Sequence, residues 1–307
     1  MPDGSVNADR RPAKGLHVCC SDWEPAPQRT PAGLMLLAVG DVHGHLAHFD
    51  ALLEVIVTEV DDARARGVAS ELVLVGDYVD RGPQSVSALR RVLDLETSLG
   101  IPVHALRGNH DHYLIEFMLS ERPHSATLAT WCGNGGSTTL AELGIRQGDI
   151  LNGDLVDLAR RARTAAGPEV VSLLQRLQLQ CSFGPYVFAH AGVYPNLPLV
   201  EHGARELLWV REPFLSGRDW RQPFTVVHGH TIRGPEVLAH RIAVDSGAYR
   251  TGVLTAVQLE GDKVRFLCVS SQPNLKALKR LPGHAQKRLF SAAQRVPSNP
   301  PAPQLAA

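Results

Sequence analysis

Three things are missing from this 307-residue chain, and each absence excludes a class of protein. Its five cysteines (Cys19, Cys20, Cys132, Cys181 and Cys268) form no C-x-x-C pair and no disulfide-type framework. That argues against a stapled secreted domain and for a reducing compartment. No apolar run approaches the ~18 residues of a membrane span, and no continuous apolar segment opens the chain, so a cytoplasmic protein with no membrane partner is expected. Charge of one sign is also lacking: Lys+Arg and Asp+Glu both number 31, which removes any global pull toward nucleic acid or anionic lipid. The remainder is ordinary. Hydrophobic residues make up 44%, a globular composition, and the length suits one large α/β domain or two smaller ones.

Residues 1–33 are rich in Pro, Asp and Arg without periodicity and read as a flexible leader. Folding is expected to begin at Leu34. Leu34–Val39, Leu72–Val75 and Ile101–Leu106 read as short apolar strands. The first two are each followed by a glycine-bearing loop and then by helical periodicity, as in Leu46, Phe49, Leu53, Ile56 and Val60. From about 113 to 180 the pattern is helical, interrupted by Gly133-Asn-Gly-Gly136 and Gly167-Pro168, and reads as an insertion that walls a cleft. Strands return at 186–189, 224–227, 242–244, 253–259 and 264–269, which predicts a second sheet with antiparallel pairs. The domain is expected to span 34–272. Residues 273–307 form a basic, Pro-rich tail (Lys276, Lys279, Arg280, Lys287, Arg288 and Arg295, with no acid), read as a solvated segment.

The chemistry sits just past the glycines. Val39-Gly40-Asp41-Val42-His43-Gly44, Gly76-Asp77-Tyr78-Val79-Asp80-Arg81-Gly82 and Arg107-Gly108-Asn109-His110-Asp111 each follow an apolar run. So do Ala189-His190-Ala191-Gly192 and Val227-His228-Gly229-His230-Thr231. One Gly-Asp after a strand is as readily a polar turn, and one such histidine is more often structural. Five strand ends that deliver Asp41, His43, Asp77, Asn109, His190 and His230 are hard to explain as packing. That donor set suits a pair of divalent ions, a recurrent device for phosphate-ester hydrolysis.

The first three motifs resemble the signature motifs of the PPP-type serine/threonine phosphatases of the calcineurin-like metallophosphoesterase superfamily. The two histidine motifs resemble that family's downstream pair. Trp131–Gly144, Leu208-Trp209-Val210-Arg211 and Asp245-Ser246-Gly247-Ala248-Tyr249 are similar to segments of its bacterial and phage members.

The resemblance implies an αββα fold, two mixed sheets flanked by helices. It implies that Asp41 and His43 hold a first metal, that Asp77 bridges, and that Asn109, His190 and His230 complete the second, with His228 as the rival of His230. Arg81 and Arg107 would grip phosphoryl oxygens, with Arg211 as a further candidate. His110 would protonate the leaving oxygen, and Asp80 would orient it. Manganese is the expected ion, with iron or zinc as alternatives. Asp111 departs from the family, where glutamate is usual.

The expected activity is hydrolysis of phosphoserine and phosphothreonine in a phosphoprotein or phosphopeptide, by direct attack of a hydroxide held between the metals. One alternative is a dinucleoside polyphosphate hydrolase acting on diadenosine tetraphosphate. A non-catalytic metal-binding scaffold is another. The cleft walls, at 113–180 and 194–222, would decide between substrates.

Overall fold

The computed structural model describes residues 15–272; the basic tail read at 273–307 lies outside them. Strands β1 (His17–Cys20) and β2 (Glu24–Pro25) come first. Three strand–loop–helix units follow: β3 (Leu34–Val39) with α1 (Leu46–Ala65), β4 (Ala69–Leu74) with α2 (Ser85–Ser98), and β5 (Val103–Ala105) with α3 (Asn109–Leu119). Five more helices continue the helical region: α4 (Ser125–Trp131), α5 (Ser137–Glu142), α6 (Gln147–Asn152), α7 (Leu155–Ala166) and α8 (Pro168–Arg176). Pro168 opens α8 at a position where its missing N–H costs nothing. Then come β6 (Gln180–Phe183), β7 (Tyr186–Ala189), α9 (Ala204–Trp209), β8 (Thr225–His228), β9 (Glu236–Val237) and β10 (Arg241–Ala243). The short α10 (Ala248–Thr251) leads to β11 (Val253–Glu260) and β12 (Lys263–Ser270).

These strands make two mixed sheets. One runs β1-β12-β11-β3-β4-β5, with β2 also on β12; the other runs β6-β7-β8-β10-β9. Within them β3, β4 and β5 are mutually parallel, as are β7, β8 and β10. Alternate residues of β3 point to opposite faces, and both faces are covered. Leu36 and Ala38 pack with Phe188, Val227 and Ile242 between the sheets. Met35, Leu37 and Val39 pack under the helices, with Phe49, Leu52 and Leu114. A third cluster, including Val187, Ala189, Leu207 and Phe214, covers the outer face of the second sheet. The molecule is thus an αββα sandwich. Among the described residues, no helix is long and apolar enough to cross a membrane.

Two expectations need correction. His17–Cys20 is not leader: it pairs antiparallel with β12, His17 against Ser270 through Cys20 against Leu267. It escaped notice because an edge strand exposed at His17 and Val18 and half-buried at Cys19 and Cys20 carries no readable alternation. The late strands also divide. β11 and β12 return to the first sheet, β11 antiparallel to β3, while β6 to β10 build the second. Local sequence does not say which sheet an apolar strand joins.

Candidate metal centre and active site

The parallel strands of both sheets carry their chemistry at their carboxyl ends, as open α/β sheets do. Beyond β3 lie Asp41 and His43, beyond β4 Asp77, Asp80 and Arg81, beyond β5 Asn109 and His110, beyond β7 His190, and beyond β8 His230. The loops are held in uncommon backbone conformations. His43, Asp77, Asp80, Arg81 and His230 all have positive φ, from 45° to 75°. Non-glycine residues seldom adopt it, and such residues gather where surrounding structure holds a functional group in place. Two glycines make room: a Cβ on Gly108 would lie 2.0 Å from Asp77 Oδ1, and one on Gly229 would lie 2.0 Å from Asp41 Oδ1.

Six sequence-predicted donors converge. Asp77 faces both ways, with Oδ2 3.5 Å from His43 Nε2 and Oδ1 3.5 Å from His190 Nε2. Asp41, Asp77 and His190 form one group with ligand atoms within 4.8 Å of one another; His43, Asp77 and His110 form a second. Asn109 Oδ1 lies 2.9 Å from His190 Nε2 and 2.8 Å from His230 Nδ1. His228 points elsewhere, its Nδ1 3.0 Å from the Gly229 carbonyl and its ring edge-on to Phe214.

Tautomers follow from the second nitrogen of each ring. His43 Nδ1–H donates to the Val79 carbonyl at 2.8 Å, and His190 Nδ1–H to the Val75 carbonyl at 2.9 Å. Each Nε2 therefore presents a lone pair to the centre. Burial, followed by the cation of Arg81, lowers the pKa of His43 well below the usual histidine range; burial first also lowers His190 and His230. These rings are held neutral, the form that binds metal.

The carboxyls tell the same story. Asp41 is pushed well up by burial, then by Asp245 and Asp77. Asp245 is raised by burial and hydrogen-bonds Asp41. Buried carboxyls this close, beside neutral imidazoles and an amide oxygen, form an acceptor-rich cluster whose natural complement is a cation. The donor set fits divalent metal.

Around this cluster stand the other predicted residues. His110 Nδ1 donates to Asp80 Oδ2 at 2.6 Å. Arg81 reaches both rings, with Nη1 2.6 Å from His43 Nε2 and Nη2 2.9 Å from His110 Nε2. Arg107 is partly buried, and its Nε finds no hydrogen-bond partner. Arg211 sits on the solvent side, its pKa lowered by partial burial and by the charge of Arg81. An anion would relieve the repulsion between Arg81 and Arg211 and give the open Arg107 Nε a partner. The departure at Asp111 is local: its carboxylate accepts the N–H groups of Asp77 (2.8 Å), Tyr78 (3.0 Å) and Gly108 (2.8 Å), and so locks two of the loops together. Two further histidines stand by the loops without joining the cluster: His45 Nδ1 bonds the His43 carbonyl and His112 faces Glu116.

Four residues lie in stretches that carry the family resemblance but had no role assigned from sequence. Trp131 Nε1 donates to Asp80 Oδ2 at 2.6 Å, and Thr139 Oγ1 to Asp80 Oδ1 at 2.6 Å. Tyr249 lies beneath Arg81, 4.2 Å from guanidinium carbon to ring centre. Asp245 had a signal, since it too follows an apolar strand and precedes a glycine by two residues. The others lie in helices, within the Trp131–Gly144 and Asp245–Tyr249 stretches that carry the resemblance, and nothing local marks what each side chain touches.

Residues 34–248 match the family described as calcineurin-like phosphoesterase. The chain belongs to this family. It is a metallophosphoesterase, of a hydrolase family that uses a binuclear divalent-metal centre, and it carries candidate ligands for one. Among its relatives is the asymmetrical bis(5'-nucleosyl)-tetraphosphatase PrpE of Halalkalibacterium halodurans, 25% identical over 78% of this chain and 96% of the relative. The symmetrical bis(5'-nucleosyl)-tetraphosphatase of Nitrosospira multiformis is 28% identical over 75% of this chain and 94% of its own. A solved structure whose own proposed activity is that of a diadenosine tetraphosphatase shares the fold, with a TM-score of 0.50 at 23% identity over 76% of this chain and 93% of its own.

These relatives overturn the expectation of a serine/threonine protein phosphatase acting on phosphoproteins. The superfamily resemblance stands; these relatives do not specifically support the finer likeness to PPP protein phosphatases. The physical reason is that the motifs specify metals and a phosphoryl grip, which both activities require, and say nothing of what is attached to the phosphate.

Proposed function

We propose that this metallophosphoesterase hydrolyses dinucleoside polyphosphates, with diadenosine tetraphosphate as the representative substrate. The observation that supports this most is that relatives matched over 94 to 96% of their own length carry tetraphosphatase names. The site's chemistry agrees. Arg81, Arg107 and Arg211 would present three guanidiniums to a chain of phosphates, where a monoester needs fewer.

In this reading Asp41, His43, Asp77, Asn109, His190 and His230 would hold two divalent ions, with Asp77 as the shared ligand and manganese the proposed ion. Bound there, the ions supply charge for the phosphoryl oxygens and acidify water. Arg81, steadied by Tyr249, binds an equatorial oxygen of the phosphoryl group under attack, where charge gathers. His110 carries a proton at Nε2 to the leaving oxygen, and the Asp80 carboxylate at Nδ1 supports the charged ring. A leaving nucleotide is a weaker base than an alkoxide, so this proton matters less for an anhydride than for an alkyl ester.

The test is product analysis with manganese-loaded protein and diadenosine tetraphosphate. ADP alone would mark symmetrical cleavage; AMP with ATP would mark asymmetrical cleavage. No nucleotide release from protein carrying two metals would overturn the proposal.

A further inference from the structure

A cavity of about 350 Å³ opens between α3 and α4. Interiors of proteins are otherwise close-packed, and a space of this size falls within the ~300–1,000 Å³ range of small-molecule pockets. Its floor is aromatic: Tyr113, Phe117 and Trp131 line it, all nearly buried. Its mouth is mixed, with Leu119 on the α3 side and Thr127 on α4, both half-exposed.

Two of the floor residues also bound the reaction centre. Tyr113 lies one helical turn from His110, ring centres 6.5 Å apart, and Trp131 is the residue that donates to Asp80. The cavity and the proton-transfer pair are therefore neighbours that share the walls made by Tyr113 and Trp131. The cavity runs along α3 toward Phe117, seven residues from His110 and so about 10 Å away along a helix. That separation is within reach of a base joined to a phosphoryl group through a sugar.

We infer that this cavity takes the nucleobase of a nucleoside phosphate whose phosphates lie at the metal centre. The inference rests on the proposed nucleotide reading of the site. The chemistry matches a base better than a phosphate or a sugar. The inner lining is aromatic and aliphatic with no buried cation, and a planar heterocycle packs against such side chains where a phosphate does not. Glu116, Arg122, His124 and Thr127 line the more exposed part, where the edge of a base keeps its hydrogen bonds.

The test compares AMP with ribose 5-phosphate, which differ by the base, as ligands of the manganese-loaded full chain measured by calorimetry. AMP is expected to bind about tenfold more tightly, in line with one stacked base. Two variants fill the mouth from opposite walls, Thr127→Trp on α4 and Leu119→Trp on α3, so that misfolding of one leaves the other. Each should bring AMP down to the affinity of ribose 5-phosphate. Each should also lower kcat/KM for diadenosine tetraphosphate about tenfold relative to inorganic tripolyphosphate, which has no base. Equal affinities for AMP and ribose 5-phosphate in the unaltered protein would overturn the inference, as would an AMP preference that survives in a folded variant. Failure of the unaltered protein to cleave diadenosine tetraphosphate, with the AMP preference intact and lost in the variants, would count against the proposed function alone.

Discussion

Both oxygens of Asp80 are committed. Oδ2 receives His110 Nδ1–H and Trp131 Nε1–H, Oδ1 receives the Thr139 hydroxyl, and the Asp80 N–H is met by Ser85 Oγ at 2.9 Å. With 0% of its surface exposed, the side chain has no water to replace a lost partner. Trp131→Phe deletes one N–H and keeps most of the shape. A hydrogen bond to a buried charge contributes about 1.5–3 kcal/mol, so kcat on an alkyl phosphate should fall about tenfold or more while bound metal is unchanged. A fall in metal content with kcat per bound site preserved would show that Trp131 serves the ligands instead. His110→Asn separates the two halves of the site more sharply. It should retain two metals and slow p-nitrophenyl phosphate, whose leaving group is a weak base, far less than an alkyl phosphate. An equal loss on both would remove His110 from the proton path. Asp80 and His110 were legible because each sits in a short contiguous motif; the roles of Trp131 and Thr139 were not, because they lie 51 and 59 residues away and meet Asp80 only in the folded chain.

At the scale of elements, the helical region braces the loops of the site. Glu142, the last residue of α5, accepts the N–H groups of Val86 (2.9 Å) and Ser87 (3.1 Å) at the first turn of α2 and the Ser87 hydroxyl as well. It acts as a cap supplied from outside the helix, on the element that follows Asp80 and Arg81 directly. Glu142→Ala should therefore cost about 1–2 kcal/mol of stability, the range for a lost cap, read as a lowered urea midpoint with an unchanged slope. A midpoint equal to that of the unaltered protein would show that water replaces the carboxylate there. Why a distant glutamate and no local residue? The loop spends its own polar groups on the reaction, and the residue before α2, Gln84, makes no side-chain cap. Helix periodicity in α1 and α7 was readable because each buries one face, as Phe49, Leu52, Leu53 and Ile56 do in α1. The external cap was not, since it is a pairing across 56 residues.

Over the whole molecule, the metal-free centre is at odds with itself at every pH. Asp41 is raised well above the ordinary carboxylate range and Asp245 to about 6, burial being the main cause in both. A carboxyl with a raised folded-state pKa contributes stability below its unfolded value, near 4, and that contribution is lost as pH rises through the folded value. His43, His190 and His230 are lowered. Their contribution is present above the unfolded histidine value, near 6.5, and is lost as pH falls toward the folded one. Acid thus relieves the carboxyls and burdens the histidines, and alkali does the reverse. Divalent ions relieve both at once by taking the carboxylate charge and the imidazole lone pairs, in competition with protons. At a hundredfold excess over its dissociation constant, a ligand that binds only the folded state stabilises it by about 2.7 kcal/mol, or a Tm rise of about 5–10 °C for a chain near this size. Manganese should give a rise of that order at pH 8 and a smaller one at pH 5, with protons released on binding at neutral pH. Differential scanning calorimetry across that range, with titrations in two buffers of different ionisation enthalpy, would check it. A shift independent of pH, with no proton released, would mean that the ions bind away from the Asp41–Asp77–His190 cluster. The same competition explains how the centre could be read from sequence while the substrate could not. Ligands must be particular side chains at strand ends, and glycines beside them must be small, so both leave their mark in the chain. A wall that recognises a base needs only surface of the right shape, and many sequences provide that.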